Sequence, residues 1–288
     1  MNKILILGST GLLGSSLLKY FSKQNDIECF GLIRKNSDKK KLKNIKDVKF
    51  FKINYENKND IQKILNKTKP DLIINCIGVV KQLINNNEFS EIVRINSFLP
   101  HYLAEIANLQ NNIRFIHFST DCVFSGKKGN YVETDIPDAK DIYGRSKLLG
   151  ELHSLNTLTL RTSIIGHELQ TKYSLLNWFL DQKKYVNGYK NAIFSGLTTL
   201  EIAKVLHKFI IPNRDLNGVY HLSGNSISKY DLLNLIKDVY KKEIKIINDK
   251  KIKINKSLNS NLLKKLTGYR VKNWKKLIKE MFEFNKKN

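Results

Sequence analysis

The chain opens on a short apolar run, Ile4-Leu5-Ile6-Leu7, closed by Gly8, and a run of this kind bounded by glycine reads as a buried strand. After Gly14 the period changes, and Leu17, Leu18 and Phe21 recur at helical spacing. The alternation then repeats. Strands are predicted over 27–35, 48–55, 71–78, 114–120 and 157–165, with helices over 58–69, 90–109 and 142–155. Near-continuous apolar strands separated by helices predict an α/β fold, a doubly wound parallel sheet covered on both faces. Beyond about residue 165 the alternation weakens to helices over 197–211, 228–240 and 274–287, with a short strand at 218–224, so the later chain is expected to be smaller and mainly helical.

At 288 residues and 41% hydrophobic the chain is long and apolar enough for one or two globular domains. No apolar run is long enough to cross a bilayer. The glycines from Gly8 onward interrupt the N-terminal apolar run and no small-residue cleavage site follows it, so a cytoplasmic protein without membrane insertion is expected. Cys29, Cys76 and Cys122 form no CxxC pair and the six histidines no ligand spacing, which predicts neither a disulfide framework nor a metal site. Fifty Lys+Arg against 26 Asp+Glu give a net charge of +24. That charge would suit nucleic acid, but the lysines are dispersed in runs of two or three that read as solvated surface, and no nucleic-acid partner is expected. The milder consequence is a positive field that draws in anionic nucleotides.

The unusual runs all fall at carboxyl ends of predicted strands, where such sheets bind ligands: GSTGLLG, IRK, NCIG, STDCVFSG and RTS. Gly8 allows a tight turn, Gly11 close approach of a pyrophosphate, and Gly14 packing of helix on strand. The spacing is GxxGxxG rather than GxGxxG, and a plain structural turn is the alternative. Arg34 ends the second strand, where an acid would meet an adenosine ribose 2′-OH and an arginine a 2′-phosphate. NADP, as NADPH, is therefore the preferred cofactor, with NAD as the alternative. Tyr143 and Lys147 stand four apart, on one face of a helix. A phenol working near pH 7 needs help worth about 4 kcal/mol, and a neighbouring ammonium supplies part of it. Taken alone, YxxxK equally describes an exposed helix face. Ser119 and Thr120 bring hydroxyls to the end of the strand 114–120, although Ser-Thr-Asp is also ordinary turn chemistry.

Together, GSTGLLG, STDCVFSG with GNYVETDIPDAKDIYGRSKLLGE, LRTSIIG and SGLTTLEIAKVL resemble the extended short-chain dehydrogenase/reductases, most of all the dTDP-4-dehydrorhamnose reductase branch of sugar-nucleotide enzymes. The resemblance covers nearly the whole chain. It implies a Rossmann-type NAD(P)-binding domain over 1–165 with a return segment about 193–225, and a substrate-binding region over 166–288. It implies reduction of a 4-keto (deoxy) sugar nucleotide for cell-surface polysaccharide precursors, with Thr120, Tyr143 and Lys147 as the catalytic triad. Asn96 corresponds to the family's assisting asparagine. Cofactor contacts are expected from Gly8, Thr10, Gly11, Leu12, Leu13, Gly14, Arg34, Asn54, Cys76, Ile77, Gly78, Asn96, Ser119, Tyr143 and Lys147. Substrate contacts are expected from Val80, Thr120, Asp121, Cys122, Tyr143 and His167. A nucleotide-sugar substrate is the expected partner, and a homodimer is allowed.

Two departures bear on the substrate. Cys122 stands where the rhamnose reductases usually carry tyrosine, and NCIGVVKQ replaces their alanine-rich segment. Two other readings remain: an epimerase or dehydratase that recycles bound NAD, and a non-catalytic NADP-sensing regulator. Asp121-Cys122 lacks the Asp-Glu that dehydratases commonly place beside the threonine, and the Tyr143/Lys147 pair argues against the regulator.

Overall fold

The computed structural model describes residues 2–55, 57–83, 89–110, 113–169 and 171–286. Six strands follow in chain order: β1 (Asn2–Leu7), β2 (Ile27–Ile33), β3 (Val48–Lys52), β4 (Leu72–Asn75), β5 (Arg114–Thr120) and β6 (Thr157–Thr162). With Gly218–His221 they form a seven-stranded parallel sheet in the order (218–221)-β6-β5-β4-β1-β2-β3. The order reverses beside β1, which pairs with β2 on one side and β4 on the other. Such a switch point opens a crevice at the strand ends. This is the doubly wound α/β architecture expected from the alternation of elements.

Successive residues of a strand face opposite sides of a sheet. Leu5 and Leu7 of β1 share one core with Leu32, Ile73 and Phe115, covered by Ile61, Ile64 and Leu65 of the helix Lys58–Thr68 and by Leu103 and Ile106 of the helix Leu99–Leu109. Ile4 and Ile6 take the other face and are fully buried, as are Leu17, Leu18 and Phe21 of the helix Leu12–Phe21. The helix Lys58–Thr68 starts at Asn57, whose side chain accepts from the Asn59 and Asp60 N–H groups, and stops at Lys69 in the left-handed conformation before Pro70.

Several elements are shorter than their sequence patterns. The helix expected over 90–109 is broken: Phe89–Val93 is α-helical, Arg94–Phe98 is a π turn, and Leu99–Leu109 resumes the α-helix. Pro100 has no N–H to give the Asn96 carbonyl, four residues back, so the turn widens and Leu99 N–H reaches Arg94 O instead. The helix expected over 142–155 ends at Leu149, because the chain turns at Gly150, where a Cβ would collide with the Asn96 carbonyl oxygen.

The chain divides into two compact units. One comprises Met1–Ser119, Asp141–Leu160 and Arg214–Val219, and the other Thr120–Lys140, Arg161–Asn213 and Tyr220–Asn288. The units thus interleave along the chain; the sequence reading places 1–165 and a return segment about 193–225 in one domain and the rest of 166–288 in the other. The second unit holds the helices Leu175–Asp181, Thr199–Val205, Lys229–Tyr240, Asn261–Thr267 and Trp274–Lys286. It also holds small sheets not expected from the sequence, among them Tyr185–Tyr189 paired with Lys245–Asp249, and Ala192–Phe194 between Ile227–Ser228 and Ile254–Asn255. Strands of two to five residues with polar positions carry too little periodicity to be read. Among the described residues no helix is long and apolar enough to cross a membrane, and no cluster of His, Cys, Asp and Glu could hold a metal ion.

Candidate active site

In the first unit the chain leaves β1 through Gly8, whose φ of +76° suits glycine, and Gly11 N–H donates back to Gly8 O at 3.0 Å. A Cβ on Gly8 would lie 2.9 Å from the Cys76 carbonyl carbon and oxygen, and one on Gly14 would collide with the Gly8 carbonyl. The turn is therefore wedged between the end of β4, where Cys76 and Ile77 follow, and the first turn of the helix Leu12–Phe21. That helix has no side-chain N-cap and no acidic residue in its first turn, which leaves its first N–H groups and positive dipole end to an anion. Leu13 is buried beneath the turn, with Thr10 and Leu12 half-buried beside it. The Tyr55 hydroxyl bonds the Gly8 backbone, and burial pushes its pKa up to about 12.

Arg34 follows the end of β2 and is exposed. Its charge acts on Tyr55 and on Asp38, which caps the same loop through Lys35 N–H at 3.1 Å and pairs with Lys41 at 3.0 Å. Burial raises the Asp38 carboxyl, but the bonds from Lys41 and Lys35 and the charges of Lys41 and Arg34 outweigh it, holding the group below the usual carboxylate range. Asn54, also exposed, follows the end of β3.

The helix Ile142–Leu149 carries Tyr143 and Lys147, and its N-cap Asp141 accepts from Gly144 N–H at 2.9 Å. Tyr143 is half-buried, whereas Lys147 is only 5% exposed. The Lys147 ammonium donates to Phe118 O on β5 at 2.6 Å, and burial lowers its pKa to about 8, against the raising influence of Glu151 and Cys76. Gly78 opens the space before it: a Cβ there would lie 3.4 Å from Asn96 Oδ1 and 3.8 Å from Lys147 Nζ. Asn96 is fully buried and its amide is committed, accepting from Val79 N–H at 2.8 Å and donating to Val79 O and Ser146 Oγ at 3.2 Å. It braces the segment 75–80 against the helix of Tyr143. Val80 is 41% exposed at the end of that segment.

Ser119 Oγ donates to Glu151 Oε1 at 2.6 Å. Thr120, Asp121, Cys122 and His167 belong to the second unit. Thr120 Oγ1 accepts from Cys122 N–H at 3.1 Å and donates to Asp121 Oδ1 at 3.3 Å. Burial raises the Asp121 carboxyl against the charge of Lys256 and the bonds from Cys122 and Thr120. His167 pairs with the Tyr240 hydroxyl at 2.7 Å. The sequence reading missed Tyr55, Asn75, His117 and Glu151, which support the site from behind. The apolar-flanked polar residues in IINC and IHFST were the available signal for Asn75 and His117.

A reversed sheet order, a glycine turn opening a helix and a buried lysine one turn beyond a tyrosine define a dinucleotide-binding α/β oxidoreductase architecture. The chain belongs to the RmlD substrate binding domain family, which it matches over residues 1–286. It is 28% identical over 249 residues to a dTDP-4-dehydrorhamnose reductase of Aggregatibacter actinomycetemcomitans, covering 83% of this chain and 79% of that one. It is 24% identical over 252 residues to methionine adenosyltransferase 2 subunit beta of Danio rerio, covering 83% and 74%. The fold matches the crystal structure of dTDP-4-dehydrorhamnose reductase from Bacillus anthracis in complex with NADP, with a TM-score of 0.78, 20% identity and coverage of 98% and 99%.

Proposed function

We propose that the chain is an NADPH-dependent reductase of a 4-keto sugar nucleotide. The observation that carries this reading is the buried Lys147 amine, bonded to Phe118 O beside the space kept open by Gly78, one helical turn from Tyr143. The family and the named reductase relative support it. The dinucleotide fits the chain's own cradle: Gly8, Gly11 and Gly14 with the free helix end suit its pyrophosphate, Arg34 a 2′-phosphate, and Lys147 a ribose hydroxyl. When bound, it supplies a hydride to the keto carbon. Tyr143 donates a proton to the keto oxygen as charge develops there, and the positive Lys147 eases loss of that proton. A role for Thr120 toward the same oxygen rests on the sequence resemblance. We assign 1–165, with a return segment about 193–225, to the dinucleotide and 166–288 chiefly to the nucleotide sugar, in a cytoplasmic enzyme for which a homodimer is allowed.

Screening NADPH oxidation against a panel of 4-keto nucleotide sugars, with wild type and Tyr143→Phe, tests the reading. Loss of general acid catalysis costs about 10²–10⁴ in kcat, with NADPH affinity unchanged. Near wild-type turnover by the variant refutes the role of Tyr143. One relative is named as a subunit and not as a reductase, which favours as second reading the non-catalytic NADP-sensing regulator. That reading requires NADPH binding without oxidation on every substrate.

A further inference from the structure

His117 lies on β5, fully buried, one residue before the carbonyl that holds Lys147. The Asn75 amide ends β4 with its orientation set, because Oδ1 accepts from Ile77 N–H at 3.0 Å. Its Nδ2 therefore faces His117 Nδ1, at 3.1 Å, as a donor. Nδ1 must accept, so a neutral ring carries its proton on Nε2. Nε2 lies 3.4 Å from Lys147 Nζ. An ammonium there meets an N–H donor, whereas a neutral amine offers it a lone pair. Burial, then the charges of Lys147 and His101, keep the ring neutral.

We propose that His117, locked by Asn75 in the Nε2–H tautomer, is a positioning residue that presents an N–H donor to Lys147 Nζ and so favours the neutral form of that amine. The proposal rests on the reading of Lys147 as a participant in the reaction, and it goes beyond that reading by naming what sets the lysine's charge. The titratable groups acting on this pair are Cys76, which follows the end of β4, Glu151 beyond the helix, and His101 toward the His117 ring, while Tyr143 lies one turn before Lys147 on the same helix. Glu151 and Cys76 both favour the charged lysine and so oppose this effect. Burial and the His117 donor act in the same direction.

The full chain labelled with ¹⁵N-histidine and ¹³Cε-lysine reads the proposal directly, with His117→Gln and Lys147→Met assigning the signals. In the wild type, His117 is expected to show a bare Nδ1 and a protonated Nε2, and Lys147 to titrate near pH 8. A glutamine amide can turn its oxygen toward the amine. In His117→Gln the Lys147 midpoint should rise by about one pH unit, and the alkaline limb of kcat/KM should rise with it. Asn75→Asp serves as the second variant. Its carboxylate accepts from Nδ1–H, reverses the tautomer and should also raise the midpoint. In both variants NADPH affinity at pH 6.5, where Lys147 is charged throughout, should stay within about threefold. A protonated Nδ1 in the wild type, or a Lys147 midpoint that stays in place in folded variants, overturns the proposal. Full activity in Lys147→Met would instead sink the reading of Lys147 in the reaction, and the two resonance measurements are independent of that result.

Discussion

Substituting Gly14 by alanine sets two effects of known sign against each other. Alanine is favoured over glycine by up to about 1 kcal/mol within a helix, and Gly14 is the third residue of its helix, so propensity alone predicts a protein at least as stable. The added Cβ, however, would collide with the Gly8 carbonyl oxygen and lie 2.9 Å from its carbon and 3.3 Å from Ser9 Cα. Gly8 has no room to retreat, since it is itself packed against the Cys76 carbonyl. The helix must lift off the turn, and overpacking of this kind costs about 1–3 kcal/mol. The net expectation is a loss of about 1 kcal/mol in urea unfolding, with dinucleotide affinity weakened about tenfold, equivalent to about 1.4 kcal/mol, because the first helical N–H groups move relative to the turn. Fluorescence titration with NADPH measures the second quantity. Gly218→Ala is the control: its φ of +87° strains any side chain, but a Cβ there meets nothing within 4 Å. It should cost about 1 kcal/mol of stability and leave affinity alone. A Gly14→Ala protein as stable as wild type, with affinity within twofold, would refute the wedged-turn account.

Lys147→Met should change stability with a specific pH signature. The amine titrates near 8 in the fold against 10.5 when solvated, so between those values the unfolded chain binds more protons and wild-type stability rises with pH. Below pH 8 the wild type carries the full cost of the buried charge, about 3 kcal/mol, which methionine lacks. The variant's relative advantage should therefore shrink from pH 7 to pH 10.5 in paired urea titrations, and a difference independent of pH contradicts the burial argument. Arg34→Ala should lower kcat/KM for NADPH about tenfold, the worth of about 1.4 kcal/mol at an exposed phosphate contact, with NADH within twofold. Equal use of both cofactors by wild type and variant would leave Arg34 as surface charge.

The legible parts of this protein are those whose meaning is local. A glycine turn between a buried strand and a helix, and a tyrosine and lysine four residues apart, are set by backbone sterics and helical period, and both appear in the structure where the residues imply. The break in the helix at Pro100 follows from one missing N–H, so it too was latent in the sequence. What only the tertiary structure decided is what each polar group faces. Ser119 reads as a strand-end hydroxyl in the sequence, and its hydrogen bond goes to Glu151, 32 residues away. Asn96 corresponds by resemblance to an assisting asparagine, and its amide is bonded to Val79 and Ser146. Asn75 and His117 are 42 residues apart, and Lys147 is a further 30 along, yet the parallel pairing of β4 with β5 stacks the first two and the helix lays the third upon them. Local propensity determines which elements form. A side chain's charge and its available hydrogen bonds depend on neighbours brought together by sheet register and burial, and no short window of sequence contains those neighbours.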